Sequence, residues 1–325
     1  MLDMNLLKQA IRFEHPDTIP VSAGMLPKAW FEYGDKLQKL VDKFPQFFGG
    51  VQVDPEQVRR NLGPSYREGT WTDEWGCVWH NVAEGMEGIV TEHPVRDEDE
   101  VFELAIPADR SGTRLPHGFM YLRLLDLCGF ENAMIMFAEE DEHIQTLIDK
   151  VTEYNLYQVA ALSRTAKDVV FFGDDLGMQN GLAIGPEKWR RYLKPAFRKI
   201  YGVLKSARPD LLIYMHTDGQ IYEIMPDLVD CGVDMINPQY RANGIDNLVR
   251  VCRQENRIAI NLDLDRQLFP FASRGEIFDH VEEAVTSLYL PEGGLSLNVE
   301  LNYETPLENM EYILEAVEKW RHFKG

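Results

Sequence analysis

The stretch LLIYMHTD, residues 211–218, decides the fold, because it is an apolar run that ends abruptly in polar residues. The same pattern occurs in DVVFFGDD (168–175), VDMINPQ (233–239), RIAINLDLD (257–265) and LSLNVELN (295–302). Each run is short, partly β-branched or aromatic, and bounded by turn residues, as is typical of parallel strands buried on both faces. TIPVSAG, residues 18–24, is expected to be the first strand, and residues 118–162 are expected to supply helices and one more strand.

Longer amphipathic segments separate these runs and predict helices. Residues 185–210 open with Pro186 at a helix start, and Pro195 is expected to kink or split that helix. The same apolar spacing recurs in residues 245–256, 273–290 and 305–323. Ser273 and Thr305 are suited to cap the last two helices.

The alternation of strands and helices favours an α/β fold of the (β/α)8 TIM-barrel type. No GxGxxG turn follows an early strand, which argues against a doubly wound sheet. Residues 25–115 are rich in Gly, Pro, Trp and acidic residues, and we interpret them as an N-terminal insertion over the barrel mouth. We expect a single domain over residues 1–325.

Composition excludes several classes of partner. The formal net charge of −20 and the pI near 4.8 argue against binding to nucleic acid or anionic membranes, which requires clustered Lys and Arg. The N-terminus lacks the apolar core of a signal peptide, and no stretch reaches the roughly 18 apolar residues of a membrane span. We therefore expect a cytoplasmic protein. Its four cysteines are scattered without a CxxC pair and are expected to be reduced core residues.

Polar residues follow the predicted strands at the carboxyl ends, where a TIM barrel carries its site. They are Asp174, Asp175, His216, Asp218, Asn237, Gln239, Asn261, Asp263, Asp265, Asn298, Glu300 and Asn302. Alternate residues of a strand point to the same side, which groups His216 with Asp218, and Asn298 with Glu300. Such a ring of acids and amides around a histidine suits a divalent metal, or a cationic or strongly hydrogen-bonding ligand without a metal.

Structural alternatives stay open for some of these residues. The Asp174–Asp175 pair could cap the following turn, and Asp263 could belong to an ordinary strand exit. The tryptophans of GTWTDEWGCVWHN, Trp71, Trp75 and Trp79, could form a wall for a flat ligand or a small core that holds the insertion.

The segment GDDLGMQNGLAIGPEKWRRYLKP, residues 173–195, resembles the uroporphyrinogen decarboxylase superfamily, and especially its corrinoid-dependent methyltransferase and O-demethylase branch. Further segments fall in the order typical of that superfamily: IRFEHPDTIPV, DEWG, HTDG, GVDMINPQ and TPLENM. The resemblance therefore covers most of the chain and implies a TIM barrel with its site at the strand carboxyl ends.

The resemblance implies two different reactions. Uroporphyrinogen decarboxylases carry an arginine-rich segment after the first strand, which binds the substrate carboxylates. The corresponding stretch here, VSAGMLPKAWFEYG (21–34), has no arginine, so a polyanionic substrate is electrostatically disfavoured.

The methyltransferase branch implies a zinc site made of an HxC pair and a further cysteine near the last strand. In this sequence His216 and Asp218 form the pair, and Glu300 lies near the last strand, so these three are the metal ligands that the resemblance implies. A site of this harder kind would polarise an ether oxygen or an amine nitrogen.

We therefore expect methyl transfer from a small methylated substrate, a methoxylated aromatic or a methylamine, to a separate corrinoid protein. His216, Asp174 and Asp175 are the predicted catalytic residues. The predicted substrate contacts are Gln179, Asn237, Gln239, Asp263 and Trp75. The alternatives are a decarboxylase of a porphyrinogen or smaller acid and a non-catalytic barrel that binds a ligand or a corrinoid partner. A homodimer is also considered.

Overall fold

The computed structural model describes residues 2–108, 115–140 and 142–325. Its strands are β1 (Val21–Met25), β2 (Gly69–Thr72), β3 (Val78–Asn81), β4 (Ile89–Glu92), β5 (Val169–Gly173), β6 (Leu212–Thr217), β7 (Met235–Pro238), β8 (Ala259–Asp263) and β9 (Leu295–Leu301). Six of the predicted strands correspond to β1 and β5 to β9, and each lies within two or three residues of the predicted bounds. The further strand expected within residues 118–162 is wrong, because the described residues of that region form helices and no strand.

The helices fall between these strands. They are α1 (Met4–Arg12), α2 (Pro27–Tyr33), α3 (Asp35–Lys43), α4 (Pro45–Phe48), α5 (Pro55–Arg60), α6 (Glu100–Glu103), α7 (Tyr121–Cys128), α8 (Phe130–Glu139), α9 (Glu142–Thr165), α10 (Gly185–Lys188), α11 (Lys194–Ala207), α12 (Met225–Asp230), α13 (Tyr240–Asn243), α14 (Ile245–Val249), α15 (Arg274–Leu288) and α16 (Leu307–Trp320). Pro64–Tyr66 and Tyr222–Ile224 are 3₁₀ turns, and Trp189–Leu193 and Arg250–Glu255 are π-helical.

The chain forms two compact units. The first contains residues 1–69, 81–89 and 239–325, and the second contains residues 70–80 and 90–238. Within the first unit, β9 pairs in parallel with both β1 and β8. Within the second, β6 pairs in parallel with both β5 and β7. The α/β class is therefore confirmed, while the single domain over residues 1–325 stays a prediction.

Strand β6 shows why the decisive run is apolar. Met215 lies on the face toward α11, where the Tyr201 hydroxyl donates to its sulfur at 3.2 Å. Tyr214 lies on the opposite face and contacts the Phe171 ring at 4.9 Å between centroids. Both faces of the strand are thus covered, and only His216 among its residues is appreciably exposed.

Aromatic side chains fill the core between strand and helix in the second unit. Phe119 contacts Phe172 and Phe197 with ring centroids 5.5 and 5.4 Å apart, and Tyr201 packs edge-on against Phe172 at 5.1 Å. Burial of each such ring stabilises the fold by roughly 1.5–3 kcal/mol.

Local signals at the helix ends gave mixed results. A π-helical turn ends immediately before α11, which has Pro195 in its first turn, so the predicted interruption is confirmed. Ser273 caps α15 in a reciprocal capping box with Glu276. The predicted cap at Thr305 is wrong: α16 begins at Leu307 and Pro306 occupies the N-cap position.

The predicted insertion folds into short helices and a three-stranded sheet of order β2-β3-β4. Its position over a barrel mouth stays a prediction, and residues 109–114 of it lie outside the described residues. The Trp-rich part forms a small core: Trp71 stacks on Trp79 at 6.0 Å, and Trp75 packs edge-on against Tyr154 at 5.2 Å.

A buried carboxylate organises this small core. Asp73 accepts hydrogen bonds from the backbone N–H groups of Trp75 and Cys77 at 3.0 and 2.9 Å. It also accepts from the Trp79 indole at 3.1 Å and forms a 2.6 Å ion pair with Arg123, which is itself buried. Asp73 is thus a structural residue of the DEWG segment.

Candidate functional site

The candidate site lies at the carboxyl ends of β5 and β6 in the second unit. The strand register places Gly173 beside His216 and His216 beside Asn237. Asp175 follows β5, and Asp218 follows β6. His117, which sequence reasoning did not single out, lies just before α7 and completes the cluster.

A ring nitrogen from each of two histidines and one carboxylate oxygen lie close enough together to bind the same metal ion. His117 Nε2 is 3.2 Å from Asp175 Oδ1, and His216 Nε2 is 3.7 Å from the same oxygen. The two imidazole rings are 5.6 Å apart between centroids. Within the described part of the chain, this is the group of His, Cys, Asp and Glu side chains that could hold a metal ion.

His216 is oriented by its neighbour on β7. Its Nδ1 lies 2.7 Å from Asn237 Oδ1. With the amide oxygen as acceptor, Nδ1 carries a proton, and Nε2 is the ring nitrogen that faces Asp175 and Asp218. Asp218 Oδ1 lies 3.4 Å from this nitrogen.

Asp175 is held as a carboxylate. Burial alone would raise its pKa, but the hydrogen bond and charge of His117, the backbone N–H of Asp218 and the charge of His216 outweigh burial and lower the pKa. The Asp218 N–H donates to Asp175 Oδ1 at 3.1 Å. The same oxygen therefore faces both histidines and one backbone donor.

Asp174 has a different environment from its neighbour. It is completely buried, and its two oxygens accept from the N–H groups of Tyr121 at 2.6 Å and Leu122 at 2.9 Å. Burial raises the pKa of Asp174 to about 7, and these two hydrogen bonds oppose the shift. The side chain thus accepts hydrogen bonds from the first turn of α7, and its catalytic role stays a prediction.

Two loops that carry the site residues are locked together. The Gly177 N–H donates to Asp218 O at 3.1 Å, and the Leu176 N–H donates to Thr217 Oγ1 at 3.0 Å. A Cβ atom on Gly219 would lie 2.1 Å from the backbone of Gly177, and Gly219 has a φ of 83°. Only glycine satisfies both the close approach and this left-handed backbone.

The first unit holds the other strand-end residues. Asn298 donates to Asp263 Oδ1 at 2.9 Å, and Gln239 forms an isolated β-bridge with Asp263. Glu300 forms an ion pair with Arg266. Its predicted role as a metal ligand remains untested, but the structure gives this carboxylate a cationic partner in its own unit.

The structure brings some predicted residues together and not others. Asp175, His216, Asp218 and Asn237 form one cluster with His117. Gln179 is exposed in the loop after β5, and Trp75 is buried in the small tryptophan core. Their predicted roles in substrate binding stay predictions.

The thiolate zinc site implied by the resemblance does not fit this chain. All four cysteines are buried, and no cysteine of the described residues belongs to a cluster of potential ligands. Burial raises the pKa of Cys128 and Cys252 to about 12, and that of Cys231 to about 11, so these thiols remain protonated. Nitrogen and oxygen ligands are the set that the site offers.

The fold and the cluster together define an α/β protein that carries polar chemistry at the carboxyl ends of parallel strands. Residues 126–320 match the family model of uroporphyrinogen decarboxylase (URO-D). The chain belongs to this family, and the predicted superfamily is confirmed.

The chain also resembles a solved structure of a methyltransferase from Methanosarcina mazei. The two share 18% sequence identity with a TM-score of 0.67, and the match covers 97% of each chain. At this identity the likeness shows a common fold. No curated protein sequence matches the chain significantly. No helix in the described ranges combines the length and apolar composition needed to cross a membrane.

Proposed function

We propose that this protein is a methyltransferase that moves a methyl group from a small methylated substrate to a corrinoid protein, on a closed (β/α)8 barrel. The substrate is a methoxylated aromatic compound, as for an O-demethylase, or a methylamine. The cluster of His117, Asp175 and His216 carries the proposal, because it offers imidazole and carboxylate groups at a strand end in a chain of the URO-D family. The fold shared with a methyltransferase supports it.

The chemistry sets the requirements on the site. The bond between the methyl carbon and the oxygen or nitrogen breaks with its electron pair left on the heteroatom, and the cobalt(I) centre of the corrinoid partner supplies the pair for the new carbon–cobalt bond. The heteroatom must then be stabilised or protonated. A bound zinc ion would supply Lewis acidity at this heteroatom.

The residues of the cluster suit these requirements. His216 and Asp175 would hold the metal or contact the heteroatom directly, and Asn237 fixes the imidazole of His216 by the 2.7 Å contact. Asp218, 3.4 Å from His216 Nε2, is placed to pass a proton to the leaving group. Its side chain is partly exposed, so the proton can exchange with solvent.

The charge pattern favours methyl transfer over porphyrinogen decarboxylation. The segment after β1, residues 21–34, contains no arginine, and the chain carries a net charge of −20. A substrate with several carboxylates would be repelled unless a dense cationic clamp compensated. Neutral ethers and cationic methylamines encounter no such barrier.

The test uses free cob(I)alamin as the methyl acceptor under strictly reducing conditions, with a panel of methoxybenzoates, methoxyphenols and methylamines as donors. Wild-type protein is expected to convert cob(I)alamin to methylcobalamin with at least one donor, as followed by absorbance. His216→Ala is expected to lose at least about a hundredfold in rate, as is usual for a residue that acts on the reacting atoms.

His322→Ala is the matched control, because His322 is an exposed histidine near the C-terminus that contacts Glu318. It should retain the wild-type rate. If no donor in the panel methylates cob(I)alamin, alone or with added zinc, methyl transfer is rejected. A parallel incubation with uroporphyrinogen then tests the decarboxylase alternative. The homodimer remains a prediction, which sedimentation can check.

A further inference from the structure

We propose that His117, Asp175 and His216 form a metal site of two imidazoles and one carboxylate, with Asp174 as the residue that positions His117. This set differs from the His216, Asp218 and Glu300 set that the sequence suggested. The inference concerns the pocket of the proposed function, but metal binding needs no turnover, so each can fail without the other.

The distances suit a common cation. Bond lengths of about 2.0–2.1 Å to zinc imply about 3.3 Å between neighbouring ligand atoms of a tetrahedron. The observed separations from Asp175 Oδ1 are 3.2 Å to His117 Nε2 and 3.7 Å to His216 Nε2. The ligand atoms of all three residues lie within 4.8 Å of one another, so the side chains need only move closer together to share a cation.

The orientation of His216 provides a second observation. Asn237 Oδ1 lies 2.7 Å from Nδ1, which turns Nε2 toward the side where Asp175 and Asp218 present oxygens at 3.7 and 3.4 Å. A metal-binding imidazole usually forms a hydrogen bond through its other ring nitrogen, as His216 does with Asn237.

His117 is held in place by the backbone around β5. The Gly118 N–H donates to Gly173 O at 2.8 Å. A Cβ on Gly173 would lie 2.5 Å from His117 Cδ2, so the imidazole occupies the space that a side chain at this position would fill. The ring position thus depends on glycine at the end of the strand.

Asp174 completes this support from behind. The N-cap residue of α7, Met120, provides no side-chain capping hydrogen bond, and Asp174 supplies the missing acceptors to Tyr121 and Leu122. The Asp174 N–H donates to His216 O at 3.1 Å, which ties the same residue to β6. Asp174 therefore connects the segment that bears His117 to the strand that bears His216, and these hydrogen bonds involve no ligand side chain.

The ligand set determines which metals the site takes. Two imidazoles and one carboxylate, without thiolate, suit Zn²⁺, Co²⁺, Fe²⁺ or Mn²⁺ and leave open positions for substrate or water. Co²⁺ is the informative probe, because its spectrum reports the ligands. We expect one Co²⁺ per chain, displaced by Zn²⁺, with no band from a thiolate ligand.

Affinities for Co²⁺ and Zn²⁺ are measured by titration against a competing chelator. His117→Ala is expected to weaken metal binding by about tenfold to a hundredfold or more, because it removes a ligand. Asp174→Asn is expected to weaken it by about tenfold to a hundredfold, as is usual for a residue that supports a ligand. Glu300→Gln should bind as the wild type does. Asp234→Asn is the matched control, since Asp234 also accepts a backbone N–H, from Ile213 at 2.6 Å, at the opposite end of β6.

The double variant distinguishes positioning from a general loss of structure. If Asp174 acts through His117, then His117→Ala/Asp174→Asn binds no more weakly than His117→Ala alone. Additive losses would overturn the role of Asp174. Loss of binding in Glu300→Gln with retention in His117→Ala would overturn the ligand set. Wild-type protein that binds neither ion would reject the metal site, while the cob(I)alamin assay would still decide methyl transfer.

Discussion

Replacing Gly173 with alanine is expected to damage the site while leaving the fold intact. The new Cβ would lie 2.5 Å from His117 Cδ2, and ordinary contact begins near 3.4 Å, so the ring must retreat by about 0.9 Å (3.4 minus 2.5). The His117 Nε2 to Asp175 Oδ1 distance is 3.2 Å, which leaves no slack for such a shift within a hydrogen bond or a shared metal.

The cost in stability should be small. Gly173 does not have a left-handed backbone, so alanine itself is not strained there, and it reduces the entropy of the unfolded chain. The side chain of His117 is 42% exposed and can turn toward solvent. We therefore expect a change in the free energy of unfolding within about 1 kcal/mol.

The effect on metal binding should be larger. Loss of one ligand corresponds to at least about tenfold in affinity, or about 1.4 kcal/mol. The assays are urea denaturation and Co²⁺ titration on the same preparations. Gly202→Ala is the control, since Gly202 lies in α11 and the added Cβ would have no atom within 4 Å beyond its chain neighbours and the backbone of its own helix. This variant should bind Co²⁺ as the wild type does and be slightly more stable. Wild-type Co²⁺ affinity in Gly173→Ala would refute the reasoning, and unfolding of the variant would show that His117 cannot turn away.

Two further predictions concern stability. Arg123→Met leaves the Asp73 carboxylate buried without its cationic partner at 2.6 Å, so it should lower the free energy of unfolding in urea by about 3–5 kcal/mol. The double variant Asp73→Asn/Arg123→Met should recover part of this loss, and a single variant as stable as the wild type would contradict the prediction. Burial lowers the pKa of His280 from 6.5 to about 4, so its contribution is fully present above pH 6.5 and is lost as the pH falls toward 4, by about 3 kcal/mol in total. His280→Gln, which can still accept the Asp265 N–H, should show a shallower loss of stability over that range, and an unchanged slope would refute the assignment.

The strands were predictable because burial on both faces requires a continuous apolar run. For this reason the bounds of β6 and β9 lie within one residue of the bounds of their apolar runs. The start of α15 was predictable from local spacing alone, because Ser273 and Glu276 form a capping box. The cap predicted at Thr305 was wrong because Pro306 follows it and takes the N-cap position. A capping residue can be recognised only together with its neighbours.

The site was predictable only in part. His216 and Asp175 end apolar runs, so their position at the strand ends follows from the pattern. His117 does not end a strand, and its place depends on contact with Gly173, 56 positions later in the chain. A lone histidine followed by glycine just before a helix, LPHGFMY, was the available signal, but it does not name a partner.

Glu300 shows the same limit. The alternation in LSLNVELN places this carboxylate on a polar face, as the structure confirms by its partial exposure. Its partner Arg266 comes from the loop after β8 and follows no spacing rule. Strand periodicity predicts the side on which a residue lies, but it cannot tell an ion pair from a ligand.

The pairing of β1 with β9 has a consequence for biosynthesis. Val21 pairs with Leu297, so the ribosome must add 276 residues before the first strand can meet its partner. At about 5–20 residues per second, this takes roughly 14–55 s. During that time β1 presents unpaired backbone groups and apolar side chains, whereas the second unit is complete once residue 238 has emerged. β1 is thus exposed to aggregation until β9 has been synthesised and pairs with it.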